Sequence, residues 1–142
     1  MMLGAPLRAL LVDDERLARS RLRRLLAAHA DLVVIAEAGT VAEAVAAIRT
    51  HKPDVVFLDV HMPGSSGFAL FDRCSVEARV VFVTAFDEYA VRAFEVNALD
   101  YLVKPVGAER LARCVARLHE LPATTPRHFS DGDRACIETG RG

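Results

Sequence analysis

The sequence predicts a doubly wound α/β fold, a five-stranded parallel sheet covered on both faces by five helices. Short apolar runs alternate five times with segments of helical periodicity, the signature of βαβ units. The run Val80-Val81-Phe82-Val83 is apolar at every position, as a strand buried on both faces requires. The 142 residues suit one domain of ordinary size, and 52% hydrophobic against 26% charged residues is a globular balance.

Taken in order, Leu7 to Val12 is the first strand, and it stops at Asp13-Asp14. Glu15 to His29 carries Ala18, Leu22, Leu25 and Leu26 at helical spacing. Leu32 to Ala36 is the second strand. Thr40 then caps a helix, with Glu43 three residues on as its capping-box partner, and Pro53 stops that helix after His51. Asp54 to Leu58 is the third strand, ending at Asp59. His61 to Gly67, with one proline and two glycines, reads as a loop. A short helix is expected over Phe68 to Cys74, a strand over Arg79 to Thr84, a helix over Asp87 to Val96 and a strand over Ala98 to Val103. Lys104-Pro105 ends that strand, and the last helix, Ala108 to Glu120, has Leu111, Val115 and Leu118 on one stripe. Residues 1–121 thus form the folded unit. Residues 122–142 open on Pro122, Thr124, Thr125 and Pro126 and carry too few large apolar residues for a core. They are expected to be a disordered tail or the remnant of a truncated effector domain.

Composition excludes several function classes. A net charge of −1 gives no global attraction to nucleic acid or anionic membrane. Cys74, Cys114 and Cys136 are few, odd in number and far apart, which argues against a disulfide framework or zinc site and for a reducing compartment. The amino-terminal apolar run is interrupted by Arg8 and by Asp13 to Arg16, unlike a signal peptide, and no stretch approaches the length of a spanning helix. A cytoplasmic location away from membranes is the expectation.

The chemistry lies at the strand ends. In a doubly wound sheet the ligand site sits beyond the carboxyl ends of the strands, at the topological switch point. With strand order 2-1-3-4-5, the first strand delivers Asp13 and Asp14, the third Asp59, the fourth Thr84 and the fifth Lys104 to one rim. Three converging carboxylates need a cation or raised pKa values, because two of them about 4 Å apart repel by roughly 4 kcal/mol near a protein surface. An oxygen-only ligand set suits Mg²⁺. Asp59 is then a carboxylate nucleophile, Thr84 a hydroxyl donor and Lys104 a mobile positive charge, the parts that phosphoryl transfer uses. Singly, Asp13-Asp14 would be a helix cap, Asp59 a turn residue, Thr84 a strand residue and Lys104-Pro105 a solvated turn. Their joint placement favours the site.

These motifs resemble the receiver domains of two-component response regulators over about residues 7 to 120. The matching elements are LLVDDE at Leu10 to Glu15, FLDVHMPGSSG at Phe57 to Gly67, and VTAFDEYAVRAFEVNALDYLVKP at Val83 to Pro105. The last stretch resembles the branch whose receivers are joined to a LytTR-type DNA-binding domain. The resemblance implies a flavodoxin-like fold and a phosphorelay function. Asp59 would accept the phosphoryl group, with Asp13, Asp14, Asp59 and the backbone carbonyl of His61 around Mg²⁺. Thr84 and Lys104 would contact the phosphoryl oxygens, Tyr101 would be the switch aromatic, and Lys104-Pro105 would be cis. It implies a sensor histidine kinase or phosphotransfer protein as partner, and no enzyme activity beyond Mg²⁺-dependent self-phosphorylation and autodephosphorylation.

Asn97 stands where many relatives have Gly, and Asn tolerates left-handed backbone. The fragment from His128 to Gly142 is only faintly similar to the opening of a LytTR-type domain, so DNA binding by this chain is in doubt. Three function classes stay in view: a phosphorelay switch, a DNA-binding regulator, and a haloacid-dehalogenase-like phosphatase. The last would carry DxDxT after the first strand, where this chain has DDE. The arginines of the first helix (Arg16, Arg19, Arg21, Arg23 and Arg24) are read as a solvated face, or else as a docking face for the phosphoryl donor. Met62 and Phe68 are expected in the core and His61 as a loop side chain. A homodimer through the fourth helix, fifth strand and fifth helix is expected to pair Glu95 and Asp100 with Arg92, Arg110 and Arg113 in trans.

Overall fold

The computed structural model describes residues 5–120, so the expectations for Cys136 and residues 122–142 lie outside the described residues. Strand β1 (Leu7–Val12) is followed by α1 (Arg16–Leu26), β2 (Leu32–Ala38), α2 (Val41–His51) and β3 (Val55–Leu58). Then come a 3-10 turn (Gly67–Ala69) leading into the one-turn α3 (Leu70–Arg73), β4 (Arg79–Thr84), α4 (Ala90–Glu95), β5 (Asp100–Val103) and α5 (Ala108–Glu120). The five strands form one sheet in the order β2-β1-β3-β4-β5, and every neighbouring pair is parallel. This is the flavodoxin-like doubly wound order.

Alternation along the strands sorts the core into two layers. Leu10, Val12, Val56, Leu58, Val80 and Phe82 face α2, α3 and α4, where they meet Val45, Ile48, Phe71 and Ala93. Ala9, Leu11, Val55, Phe57, Val81 and Val83 face the other way and meet Leu22 and Leu26 of α1 with Leu111, Val115 and Leu118 of α5. Each fully buried Leu or Phe contributes about 1.5–3 kcal/mol relative to exposure, so the two layers hold the strands in register. That register pairs Val12 with Leu58, so Asp13 and Asp59 leave neighbouring strands at one level, and with Leu58 opposite Phe82 and Thr84 opposite Val103, Lys104 leaves β5 at the same end of the sheet.

Several boundaries differ from the sequence reading. α1 runs from Arg16 to Leu26 rather than Glu15 to His29, because Glu15 is the extended N-cap and residues 27–29 close the helix in a tighter turn. β2 continues through Glu37 to Ala38, since Glu37 points outward from an edge strand to Arg19 and Arg23, each 2.8 Å away. β3 starts at Val55, with the Asp54 carboxylate accepting the Arg8 backbone N–H at 2.8 Å. The expected loop at 61–67 contains a small antiparallel hairpin, His61–Met62 with Ser65–Ser66, turning at Gly64 with φ +65°. α3 covers only the middle of the expected Phe68 to Cys74 helix. α4 is shorter than Asp87 to Val96, and β5 begins at Asp100 rather than Ala98. Asn97 is left-handed (φ 60°), and the Ala98 N–H bonds back to Ala93 O at 3.1 Å, so residues 97–98 belong to the helix end.

The Thr40 hydroxyl accepts the Glu43 N–H at 3.0 Å, and the Glu43 carboxylate reaches back to the Gly39 N–H at 2.8 Å, one residue before the usual capping-box partner. Met62 and Phe68 are buried, and His61 is exposed. Cys74 and Cys114 are free thiols. Burial pushes the Cys114 thiol up to about 12, aided by the neighbouring Asp100 carboxylate.

Candidate functional site

The rim at the carboxyl ends of the strands is assembled by backbone bonds that run one residue past the ladder. The Asp13 N–H donates to Ala38 O at 3.0 Å, the Asp59 N–H to Val12 O at 2.9 Å, and the Lys104 N–H to Thr84 O at 2.7 Å. Asp13 and Asp59 are thereby fixed on adjacent strands, both buried, while Asp14 is exposed at the mouth. Asp13, Asp14 and Asp59 each offer a carboxylate oxygen within 4.8 Å of the others.

Lys104 lies between two of them. Its Nζ donates to Asp13 Oδ2 at 2.6 Å and to Asp59 Oδ2 at 3.1 Å. Burial alone would lower its pKa, but the hydrogen bonds and negative charge of Asp13 and Asp59 together raise it. With three carboxylates and one ammonium, the cluster keeps an excess of negative charge that a hard divalent cation would offset. Asp13 Oδ1 also accepts the Glu15 N–H at 3.0 Å, and Asp59 Oδ1 accepts the His61 N–H at 3.2 Å.

Thr84 is fully buried, and its Oγ1 has no hydrogen-bond partner. A buried hydroxyl left unbonded costs about 1–3 kcal/mol, so the position calls for a ligand or a movement. Thr84 follows Phe82 by two residues and so faces the side of the sheet on which Tyr101 packs. The Tyr101 hydroxyl donates to the Phe86 carbonyl in the loop after β4. The Lys104-Pro105 peptide is cis.

Two contributors were absent from the candidate site drawn from sequence. Gly67 was read only as a loop residue, yet a Cβ there would lie 2.1 Å from the Asp59 carbonyl oxygen, so any side chain would push the Asp59 segment away. Arg19 was grouped with the surface arginines, yet its Nη1 donates to the Asp13 carbonyl at 2.6 Å while its Nε binds Glu37. Neither close approach has a signal in local spacing.

One expected pairing changes. Asp100 is engaged within its own chain, by Arg110 through two bonds of 2.6 and 3.1 Å and by Arg117 at 3.7 Å. The Arg92 guanidinium sits over the Phe68 ring, 4.4 Å from its centroid. The charges assigned to pairing in trans are thus partly committed in cis, because α5 packs beside β5 and brings Arg110 to Asp100.

Comparison with known proteins decides what kind of rim this is. Residues 9–116 match the family described as the response regulator receiver domain. The chain belongs to that family. The receiver is 53% identical over 114 residues to a response regulatory protein of Vibrio cholerae, covering 79% of this chain and 48% of the relative. It is 43% identical over 116 residues to the transcriptional regulatory protein BtsR of Escherichia coli, covering 80% of this chain and 48% of the relative. The chain therefore spans about half the length of the curated relatives it matches.

Among solved structures, the response regulatory domain of protein mrkE from Klebsiella pneumoniae superposes with a TM-score of 0.72 at 28% identity, over 80% of this chain and 95% of that one. The REC domain of AraT from Geobacillus stearothermophilus gives 0.70 at 31% identity, over 80% and 93%. Receiver domains bind Mg²⁺ at an acidic pocket, and the Asp13, Asp14 and Asp59 oxygens of this receiver are compatible with that. No described helix is long and apolar enough to cross a membrane.

Proposed function

We propose that this receiver is the phosphoacceptor of a phosphorelay, taking a phosphoryl group on Asp59 from a histidine kinase or phosphotransfer protein. The observation that carries the reading is the half-buried Lys104 ammonium held between Asp13 and Asp59, beside a buried Thr84 hydroxyl with no partner. Asp59 bonds phosphorus through a carboxylate oxygen as the donor's own bond to phosphorus breaks and the donor leaves with that electron pair. Lys104 releases that carboxylate and follows the new charge, and Thr84 donates its hydroxyl to a phosphoryl oxygen. Asp13, Asp14, Asp59 and the His61 backbone carbonyl would hold Mg²⁺, which when bound neutralises charge on the transferring group.

The test compares intact mass after incubation with acetyl phosphate and Mg²⁺. Wild type gains one phosphoryl group, Asp59→Asn gains none, and Asp14→Ala loses Mg²⁺-dependent phosphorylation while keeping its fold. An equal gain in wild type and Asp59→Asn overturns the assignment.

The output proposed is a phosphorylation-favoured homodimer through α4, β5 and α5. Val91 and Phe94 on α4 are 72% and 80% exposed, with Val103 on β5 at 44%, an apolar patch that supports this reading. With Asp100 and Arg110 paired in cis, charge pairing in trans falls to residues such as Glu95 and Arg113. The gain in dimer affinity is then modest, about tenfold or 1.4 kcal/mol, and salt-sensitive. Sedimentation with and without a phosphoryl mimic measures it. An association constant that ignores the mimic rules it out.

We further infer that the receiver part is residues 1–121, that it works in the cytoplasm, and that it is of the LytTR-type branch, a reading supported by the stretch from Thr84 to Pro105. A gel-shift assay of this chain beside a longer gene product tests whether DNA binding needs an effector domain beyond it.

A further inference from the structure

We propose that Arg19 is a positioning residue of the metal site: it clamps the peptide that joins Asp13 to Asp14 and so sets where both carboxylates meet Mg²⁺. This rests on the Mg²⁺ reading above. The arginines of α1 differ in what they touch. Arg19 Nε meets Glu37 Oε1 at 2.8 Å, and its Nη1 donates to the Asp13 carbonyl at 2.6 Å. Arg23 takes the other Glu37 oxygen, also at 2.8 Å, and has no bond to the rim. The Arg19 side chain is 17% exposed against 49% for Arg23. One planar fork on α1 therefore ties the loop after β1 to the edge strand β2, and a guanidinium can do this because its donors diverge at fixed angles. Burial pushes the Glu37 carboxyl up, but its bonds to Arg19 and Arg23 outweigh burial and hold it below the ordinary Glu value, so the anchor of the fork is charged at neutral pH.

The Asp13 carbonyl belongs to the peptide unit that leads into Asp14. Every other polar atom of Asp13 is already engaged. Its N–H donates to Ala38 O, Oδ1 accepts the Glu15 N–H, and Oδ2 accepts from Lys104. Asp14 is exposed, and among the described residues its carboxylate takes no hydrogen bond or ion pair. The direction of the Asp14 side chain is therefore inherited from the backbone, and the peptide ahead of it is the one that Arg19 fixes. Groups that orient metal ligands in this way commonly change metal affinity by about 10–100-fold when removed.

The charge of Arg19 acts in the opposite sense. A guanidinium beside a divalent cation repels it, so Coulomb's law alone predicts tighter Mg²⁺ binding once Arg19 is neutralised. A positioning role predicts weaker binding. The sign of the effect thus separates the two.

The experiment titrates Mg²⁺ into the ¹⁵N-labelled full chain and follows the amide shifts of residues 13–15 and 59–61, with urea unfolding run on each variant. Arg19→Met should weaken binding about tenfold in a protein that remains folded. Arg23→Met removes the same charge and a bond to the same Glu37, but no contact with Asp13, and should leave the affinity at or slightly above that of wild type. Arg19→Lys keeps the charge and loses the two-sided fork, so it should weaken binding by an intermediate amount. It carries the test if Arg19→Met does not fold. Unchanged or tighter binding in Arg19→Met overturns the positioning role, as does an equal loss in Arg23→Met. Wild-type affinity in Arg19→Lys overturns the two-sided clamp. A wild type that shows no Mg²⁺-dependent shift at these amides overturns the metal reading and the positioning role with it.

Discussion

Strand β4 buries a polar side chain at each end, and the two are treated differently. At its start Arg79 is 6% exposed, and its guanidinium donates to the Leu118 carbonyl at the end of α5, while its N–H meets Asp54 O at 3.0 Å. At its finish Thr84 is 0% exposed and its hydroxyl meets nothing. Arg79 carries the larger desolvation penalty and is bonded in place, which ties the sheet to the last helix. Thr84 is the smaller group and could have been Val at no loss of packing. A buried polar group that completes the fold is bonded within it, whereas one kept for a ligand is left with its bonding capacity unused.

Substitution at the two ends should separate them. Arg79→Met leaves the Leu118 carbonyl without its donor, and urea unfolding should show a loss of about 1–3 kcal/mol. Thr84→Val removes an unsatisfied hydroxyl and should leave stability unchanged or raise it by up to about 1 kcal/mol. If Thr84→Val costs as much as Arg79→Met, the hydroxyl is structural and the contrast fails. Gly67→Ala extends the test to the acceptor segment. Its Cβ would collide with the Asp59 carbonyl, so it should cost about 1–3 kcal/mol and slow phosphorylation as well, while Gly64→Ala, which meets no atom, should cost only the strain of its positive φ.

The smallest effect concerns Asp100. Burial pushes its carboxyl up, but Arg110, the Tyr101 N–H and the charge of Arg117 together hold it below the ordinary Asp value. A carboxyl depressed in the folded state stabilises above the unfolded pKa of about 3.9 and loses that contribution as pH falls through the folded value. Asp100→Asn should therefore flatten the acid side of the stability profile and leave neutral-pH phosphorylation intact. An unchanged acid limb would remove the cis pair from the account.

The sheet and most of the rim were legible in the sequence because both depend on local signals. Compact apolar runs marked all five strands, and Asp13, Asp59, Thr84 and Lys104 stand out as polar residues that end such runs. What was hidden depends on packing between segments distant in sequence. Glu37 ended the reading of β2 because nothing local says that an edge strand turns it to Arg19 and Arg23. α4 was overdrawn because Asp87 to Tyr89 have helical spacing but form a turn. Gly67 beside Asp59, Arg110 on Asp100, and Arg19 on the Asp13 carbonyl are contacts that only the assembled fold creates. The same holds for Thr84, since absence of a partner cannot be read from residue type.

The most direct test of the central claim, that the unpartnered Thr84 hydroxyl is kept for a phosphoryl group on Asp59, is the NMR response of the Tyr101 ring to phosphorylation in wild type and in Thr84→Val. Both proteins should take the group on Asp59 by intact mass. The account predicts that Tyr101 resonances shift in wild type and stay near their unphosphorylated positions in Thr84→Val. An equal shift in the two proteins would contradict it.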